Sequence, residues 1–323
     1  MMIKPDTRTR VLAYVDDIDA HNYGAGRRAR MFDNFLETLT APVDAIRLLE
    51  RSGITPDSPR PDLREARELQ ARIRYAAGFK RTPTALVVFG GNIKLDLAPV
   101  RSYGVTLAQA STSGVCNVCR WSTVGCRAGC VLQNGHGGRA TVQRARIART
   151  WLLYLHPVAF YAIMEHETAA AARTCERLGE PGVLRANVAS DVPHERYTRA
   201  LTASPWLLPY DYTKAPERQR PNVDGYALVR SIGEHHTTAD IRRIALAGGR
   251  PVVIVDVSTK KADGAYIETM PPTFAGIPAI DGDLSDDHTK TPRGVVILLR
   301  GKGRPHVVAA MRSCGFMRAP VAA

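Results

Sequence analysis

Four cysteines stand within a fifteen-residue stretch, Cys116, Cys119, Cys126 and Cys130, spaced C-x2-C-x6-C-x3-C in GVCNVCRWSTVGCRAGCVLQNGHGG. The chain has only six cysteines in 323 residues, so the clustering points to chemistry. Short spacings let thiolates converge, because a tight turn aims neighbouring sulfurs at one point. Zinc and iron–sulfur clusters are the two common occupants of such sets. Four thiolates around zinc make a closed, structural site. An iron–sulfur cluster is catalytic when one iron keeps an open position. Disulfides are the third reading. The first residues, MMIKPDTRTR, lead into no apolar signal segment, so nothing indicates export. A cytoplasmic setting is then expected, and its reducing conditions favour metal over disulfide. Cys175 and Cys314 stand apart in sequence and read as buried small hydrophobes.

A second set of polar residues follows short apolar runs. Asn187, Ser190 and Asp191 follow VLRAN. Asp211, Thr213 and Lys214 end WLLPYDYTK. Ser231, Glu234, His235 and His236 follow YALVR, and Asp256, Ser258 and Lys260 follow RPVVIV. In parallel α/β folds functional side chains gather at the C-terminal ends of strands. On that basis Asn187, Asp191, Asp211, Lys214 and Ser231 are expected to line one pocket above the cysteines. Asp191 and Asp211 are assigned the chemistry and Lys214 the neutralisation of their charge, with Asn187, Ser190 and Ser231 as cofactor-binding groups. Thr237, Asp240 and Ser258 read equally well as helix N-caps. PAIDGDLSDDHTKTPRG carries Asp281, Asp283, Asp286, Asp287 and His288 but lacks the spacing and closing glutamate of a calcium loop. A solvated turn is expected there. His235 and His236 are adjacent, so in a strand or helix they point apart.

The elements that must position these residues alternate. VLAYVDDIDA reads as a strand and turn. ARMFDNFLETLTAPVDAIRLLE has helical spacing, with Phe32, Phe35, Leu36 and Leu39 on one face. SGITPDSPRPDL is a linker, DLREARELQARIRYAAGF a charged helix, and TALVVFGGNIKLDL two strands around a Gly-Gly turn. Helices are expected over about 138–154 and 157–178. Then strands GVLRANVAS, WLLPYDYT, YALVRSIG, RPVVIVDVS and GVVILLRGKG alternate with helices HERYTRALTASP and TADIRRIALAG. Such alternation argues an α/β fold of parallel strands with helical crossovers, a partial or complete TIM-type barrel carrying a Cys-rich metal loop at 113–138. Residues 1–80 read as a mainly helical N-terminal extension and 81–323 as the barrel-like catalytic domain.

The balance of 44 Lys+Arg against 31 Asp+Glu gives a formal charge of +13. That surplus suggests a polyanionic partner, nucleic acid or a nucleotide, with DNA ahead of RNA. The densest basic helix carries Arg139, Arg144, Arg146 and Arg149. No apolar run reaches the roughly eighteen residues of a membrane span, so no membrane partner is expected. Nothing in the sequence gives the oligomeric state.

The cysteine run and the Gly-rich turn at Arg139, followed by RANVASDVPHE, LPYDYTKAPERQ and IPAIDGDLSDD, resemble a bacteriophage family, gene product 88, over roughly the C-terminal two-thirds. The SDV and YDYTKAPER blocks are also similar to a second phage family, gene product 37, whose members look like radical S-adenosylmethionine proteins. The resemblance implies a phage protein, a partial barrel with an iron–sulfur cluster, and carries no reaction with it. Taken with the cysteine cluster, the α/β alternation and the strand-end polar groups, it leads to the expectation of a metalloenzyme with a [4Fe–4S] cluster and S-adenosylmethionine that modifies a nucleic-acid base or nucleotide. Radical enzymes of that kind use C-x3-C-x2-C; here Gln133 stands where the third cysteine would fall. The family-like triad is therefore Cys119, Cys126 and Cys130. All four cysteines are expected on one metal, with Cys116 as the extra ligand. Two other readings stand beside this one: a zinc-stapled base-exchange enzyme using Asp191 and Asp211, and a non-enzymatic zinc-containing DNA-binding replication accessory protein.

Overall fold

The computed structural model of the protein describes residues 6–40, 42–90, 100–133, 135–257, 269–285 and 287–320. VLAYVDDIDA, expected as strand and turn, lies inside helix α1 (Thr7–Ala20). Its buried residues Val11, Val15 and Ile18 recur at helical spacing, and Asp6 caps the first turn by accepting from the Thr9 N–H at 2.8 Å. One apolar stripe and one cap outweigh β-branched content. The next expected helix is split into α2 (Ala25–Glu37) and, beyond Pro42 and the two-residue strand β1 (Val43–Asp44), α3 (Ala45–Arg51), whose cap is Asp44. Helix α4 (Leu63–Ala76) follows as expected.

Strands β2 (Val87–Phe89) and β3 (Ser102–Val105) open the sheet. The second strand expected around GGNIKLDL falls outside the described residues. The cysteine segment contributes β4 (Cys116–Asn117) and the short helix α5 (Val124–Ala128). Helices α6 (Ala140–Leu155) and α7 (Pro157–Leu178) match expectation; α7 starts on Pro157 and stops at Gly179, whose φ of 66° suits a residue without Cβ. After β5 (Gly182–Arg185) the expected helix HERYTRALTASP is only two 3-10 turns, His194–Arg196 and Ala200–Thr202. Then come β6 (Leu207–Thr213), β7 (Ala227–Ser231), α8 (Thr238–Leu246) and β8 (Pro251–Val255). The last elements are β9 (Thr273–Phe274), β10 (Ile277–Asp281), β11 (Val296–Arg300), α9 (Pro305–Ser313) and β12 (Met317–Arg318). Of these only β11 was expected.

Among the described residues the main sheet runs β2-β3-β5-β6-β7-β8-β11-β10-β9, with β12 also on β8. From β3 to β10 every pairing is parallel, and only the edge strands β2 and β9 run antiparallel to their neighbours. β3, β5, β6, β7 and β8 lie side by side in chain order. The sheet is open, with β2 at one edge and β9 at the other, so the complete barrel is not what the described residues form.

Helices α6, α7 and α8 cover one face, while Met311 of α9 joins Phe316 and Met317 in a cluster packed against Ile254 on the other. Leu184, Leu207 and Leu228 pack into the core shared by α6 and α7, and Val253, Val255, Val296 and Leu298 pack with Ile241 and Ala245 of α8. On the other face Val229, Val252 and Ile297 meet Tyr212, Ile280 and Leu299. There Leu208, Tyr212, Ser231, Ile254 and Leu299 stay half-exposed. The N-terminal helices belong to the same core as the sheet: Phe32 lies 4.8 Å from Trp151 of α6, centroid to centroid, and both are fully buried. No helix among the described residues is long and apolar enough to cross a membrane.

Candidate functional site

The cysteine segment follows β3 and sits at the C-terminal ends of the parallel strands, because it bonds the loops that leave β5 and β7. The Asp191 N–H, after β5, donates to the Val118 carbonyl at 2.8 Å. The Cys119 thiol lies between the Ala110 N–H at 3.3 Å and the Ala189 carbonyl at 3.4 Å. Helix α5 is started by Thr123, which accepts from the Cys126 N–H, and by Glu234 beyond β7, whose Oε1 accepts from the Gly125 N–H at 3.0 Å. From the far side α9 and Phe316 press on α5. A Cβ on Gly125 would stand 2.2 Å from the Phe316 Cβ, and one on Gly129 would stand 2.2 Å from the Met311 Sδ. Two glycines four residues apart thus give the cysteine helix a face flat enough for this contact.

Cys119, Cys126 and Cys130 lie within electrostatic reach of one another: Cys126 and Cys130 each help to raise the Cys119 thiol, and Cys126 helps to raise that of Cys130. Burial pushes the Cys119 thiol up to about 12 and raises Cys130 as well; around Cys130 the cations Arg146 and Lys214 oppose that rise. Cys116 stands elsewhere. It is fully buried in the main core, on β4 where it pairs with Val43, and its polar neighbours are Ser113 and Asp44. Burial drives its thiol to about 12 too. The four cysteines expected together are thus three and one. Among the described residues no group of three or more His, Cys, Asp or Glu side chains is arranged to hold a metal ion. His235 and His236, expected to point apart in a strand or helix, lie at a turn instead, their ring centroids 4.1 Å apart and the rings tilted by 37°.

Beneath this segment lies a buried charge cluster that the sequence only half revealed. Asp191 and Asp211 converge, as expected, but on Arg220. The fully buried guanidinium donates to Asp191 at 3.0 Å, to Glu195 at 2.8 Å and to Asp211 at 2.9 Å. Burial alone would pull Arg220 down; Tyr226, Glu195 and Asp211 outweigh it and hold the group well above its ordinary value. The carboxylates are also saturated by other donors. Asp211 accepts from the Asn187 N–H (2.7 Å), the Asn187 amide (2.6 Å) and the Tyr226 hydroxyl (2.6 Å). Asp191 accepts from the Thr213 hydroxyl (2.7 Å) and the Lys214 N–H (2.8 Å). Asn187 completes its set with Ser190 (2.7 Å) and both backbone groups of Val192. Asn187 and Ser190, expected to meet a cofactor, are therefore engaged within the protein.

Two expected members of that pocket stand apart. The Lys214 ammonium lies 5.5 Å from the centre of the Phe316 ring, and Arg220 supplies the neutralisation assigned to it. Ser231 lies on the opposite face of the sheet from Asp211: Asp211 pairs with Leu228, and three residues on in β7 the side chain points the other way. Ser258 and Lys260 lie outside the described residues. The acidic turn is not solvated: Arg300 pairs with Asp281 at 2.8 Å and with Asp283 at 3.5 Å, and Lys302 also pairs with Asp283. Asp286 is outside the described residues.

Sequence reading passed over Arg220, Glu195 and Tyr226. Two acids at adjacent strand ends demand a buried cation, and APERQRP offers it. The basic helix stands where it was expected, but its arginines play another part. On α6, Arg144 pairs with Asp33 at 3.0 Å, Arg146 is buried, and Arg149 donates to the Thr106 carbonyl and is pulled down to about 10 by burial; Arg139 alone of the four is exposed. These arginines hold the fold together more than they form a basic surface.

His194 borders the cluster. It is fully buried, with Nδ1 3.0 Å from the Tyr161 hydroxyl, and burial depresses it to about 4, with Asp211 opposing and Arg220 adding to the drop. The unfolded chain therefore binds the His194 proton first, at its ordinary value near 6.5. Stability is complete above pH 6.5 and falls as pH drops toward 4, by about 3 kcal/mol at 1.36 kcal/mol per pH unit. Urea unfolding of a His194→Gln protein should lack that component of the slope. An equal slope in both proteins would show that His194 does not carry it.

No curated protein and no solved structure matches the chain. The gene product 88 family matches over residues 80–320, which begins just before β2 and includes the cysteine segment, every strand of the main sheet and the Arg220 cluster. The chain belongs to the phage family gene product 88.

Proposed function

We propose that this chain is an iron–sulfur enzyme of the radical S-adenosylmethionine kind that modifies a nucleic-acid base or nucleotide. The observation that carries the reading is the separation of the cysteines: Cys119, Cys126 and Cys130 gather at the C-terminal ends of the parallel strands, while Cys116 is buried away from them. A single zinc with sulfurs at 2.3 Å needs them about 3.8 Å apart. In a four-iron cluster each thiolate bonds a different iron, which suits three thiols that are neighbours without converging on one point. Three ligands leave one iron open. The winding supports the same reading, since β3, β5, β6, β7 and β8 lie side by side in chain order with α6, α7 and α8 on one face, as in a partial barrel.

The chemistry a bound cluster would supply is one-electron reduction of a sulfonium cosubstrate. Cys119, Cys126 and Cys130 would hold it, and each would lose its proton on doing so, so iron uptake should rise with pH. Asp191, held by Arg220, fixes the height of the segment through its N–H bond to Val118. The nucleic-acid substrate rests on the +13 charge. Base exchange through Asp191 or Asp211 would need a carboxylate free to attack, and both are occupied by buried donors.

The test is turnover of S-adenosylmethionine by anaerobic, iron-reconstituted protein under dithionite. Release of 5′-deoxyadenosine, lost in Cys126→Ser, is expected. No release from protein loaded with iron and sulfide would end the proposal.

A further inference from the structure

Two arginines at one edge of the sheet stand without a counter-ion. Arg74, from α4, donates through Nε to the Thr82 carbonyl at 3.0 Å, and its guanidinium lies 4.8 Å from the centre of the Phe79 ring. Arg149, from α6, donates through Nη1 to the Thr106 carbonyl at 3.4 Å, and its Nε is buried without a partner. One nitrogen of each thus holds the fold. Both Nη of Arg74 and Nη2 of Arg149 have no partner among the described residues, and both side chains are half-exposed. By contrast Arg60, Arg67, Arg220 and Arg300 each meet a carboxylate, and Arg28 uses all three guanidinium nitrogens on carbonyls.

The two arginines stand at the same end of one strand pair. Thr106 follows β3, Thr82 precedes β2, and Val105 of β3 pairs antiparallel with Val87 of β2. Both carbonyls therefore lie beyond the C-terminal end of β3. There α4 and α6 pack side by side, and Ile73, Ile147 and Ala148 share one core. Burial lowers Arg149, and the charges of Arg74 and Arg146 lower it further. Glu167 opposes them, but its oxygens already accept from Arg67 and from the Leu86 and Val87 N–H groups, each of the latter at 2.7 Å.

We propose that Arg74 and Arg149 bind the phosphate group of a nucleotide, presented as a monoester. Two half-buried cations side by side are costly unless an anion neutralises both. A phosphate monoester brings up to two charges and three acceptor oxygens, and guanidinium forks match that geometry. A carboxylate brings one charge and two oxygens. The position fits as well, because ligands of open α/β sheets bind outside the carboxyl ends of the strands. The nucleotide rests on the substrate reading above; the phosphate site rests on the two arginines and needs no cluster.

The experiment is calorimetric titration of the full chain at low ionic strength with the four deoxynucleoside 5′-monophosphates, their nucleosides and inorganic phosphate. At least one monophosphate is expected to bind about 100-fold more tightly than its nucleoside. Arg74→Gln and Arg149→Gln should each weaken that binding about 10- to 100-fold, the effect of losing a charge-assisted hydrogen bond. Arg74→Lys keeps the charge and should retain more affinity than Arg74→Gln. Arg74 is half-exposed, so its variants read the site even where Arg149→Gln fails to fold. The monophosphate should also raise the unfolding temperature of the wild type more than that of Arg74→Gln. Unchanged affinity in the glutamine variants overturns the proposal. So does a nucleoside that binds as tightly as its monophosphate, or the binding of no probe. Inorganic phosphate binding as tightly as every monophosphate overturns the nucleotide and leaves a site for free phosphate. A chain that binds a monophosphate but releases no 5′-deoxyadenosine keeps this site while the enzyme reading falls.

Discussion

An Arg220→Met protein is expected to lose about 3–5 kcal/mol of stability, the usual cost of removing one partner from a buried ion cluster. Arg220 is fully buried and is the shared partner of Asp191, Glu195 and Asp211. Without it three carboxylates crowd a site closed to water. Arg220→Lys should recover little, because one ammonium cannot reproduce the fork that serves three carboxylates at once. Urea unfolding at pH 7 reads both variants. A loss below about 1 kcal/mol, the range of an exposed pair, would show that the cluster does not brace the strand ends.

A Gly125→Ala protein is expected to lose metal affinity by 10- to 100-fold, the range seen when groups supporting a ligand are disturbed. The added methyl would meet the Phe316 Cβ at 2.2 Å, its Cγ at 2.6 Å and the Cys314 Sγ at 2.9 Å. None of these is the tip of a long flexible chain, so α5 itself must shift, and Cys126 is the next residue. Gly26→Ala is the control: its methyl would approach only the Arg30 guanidinium, at 3.8 Å, and it should leave metal content unchanged. Iron retained at wild-type affinity in Gly125→Ala would mean that the contact between α5 and Phe316 does not position Cys126.

The parallel strands and the long helices were legible because each repeats a short-range pattern. β6 and β8 are apolar runs bounded by turn residues, and α7 starts on Pro157 and ends at Gly179. Helix α1 was misread because its β-branched residues suggested a strand, although Val11, Val15 and Ile18 already carried the helical stripe. The gathering of Asp191 and Asp211 followed from parallel connectivity. Their partner did not, since Arg220 lies in an irregular loop whose path no periodicity predicts. Face assignment failed at Ser231 because being at a strand end fixes the edge of the sheet and not the side. Cys116 was grouped with its neighbours by spacing alone. Its pairing with Val43, from a segment more than seventy residues earlier, turns it into the main core. Cys314, read as a buried small hydrophobe, packs beside α5 against Met311 and Phe316, a contact between segments too distant in sequence to show a pattern.

That split of three cysteines from the fourth gives the most direct test. Iron and acid-labile sulfide should be counted in anaerobically purified wild-type protein and in the four single Cys→Ser variants. Stoichiometric iron and sulfide are expected in the wild type, retained in Cys116→Ser and lost in Cys119→Ser, Cys126→Ser and Cys130→Ser. Stoichiometric zinc without sulfide, or the loss of metal from Cys116→Ser alongside the other three, would contradict a three-cysteine iron–sulfur site.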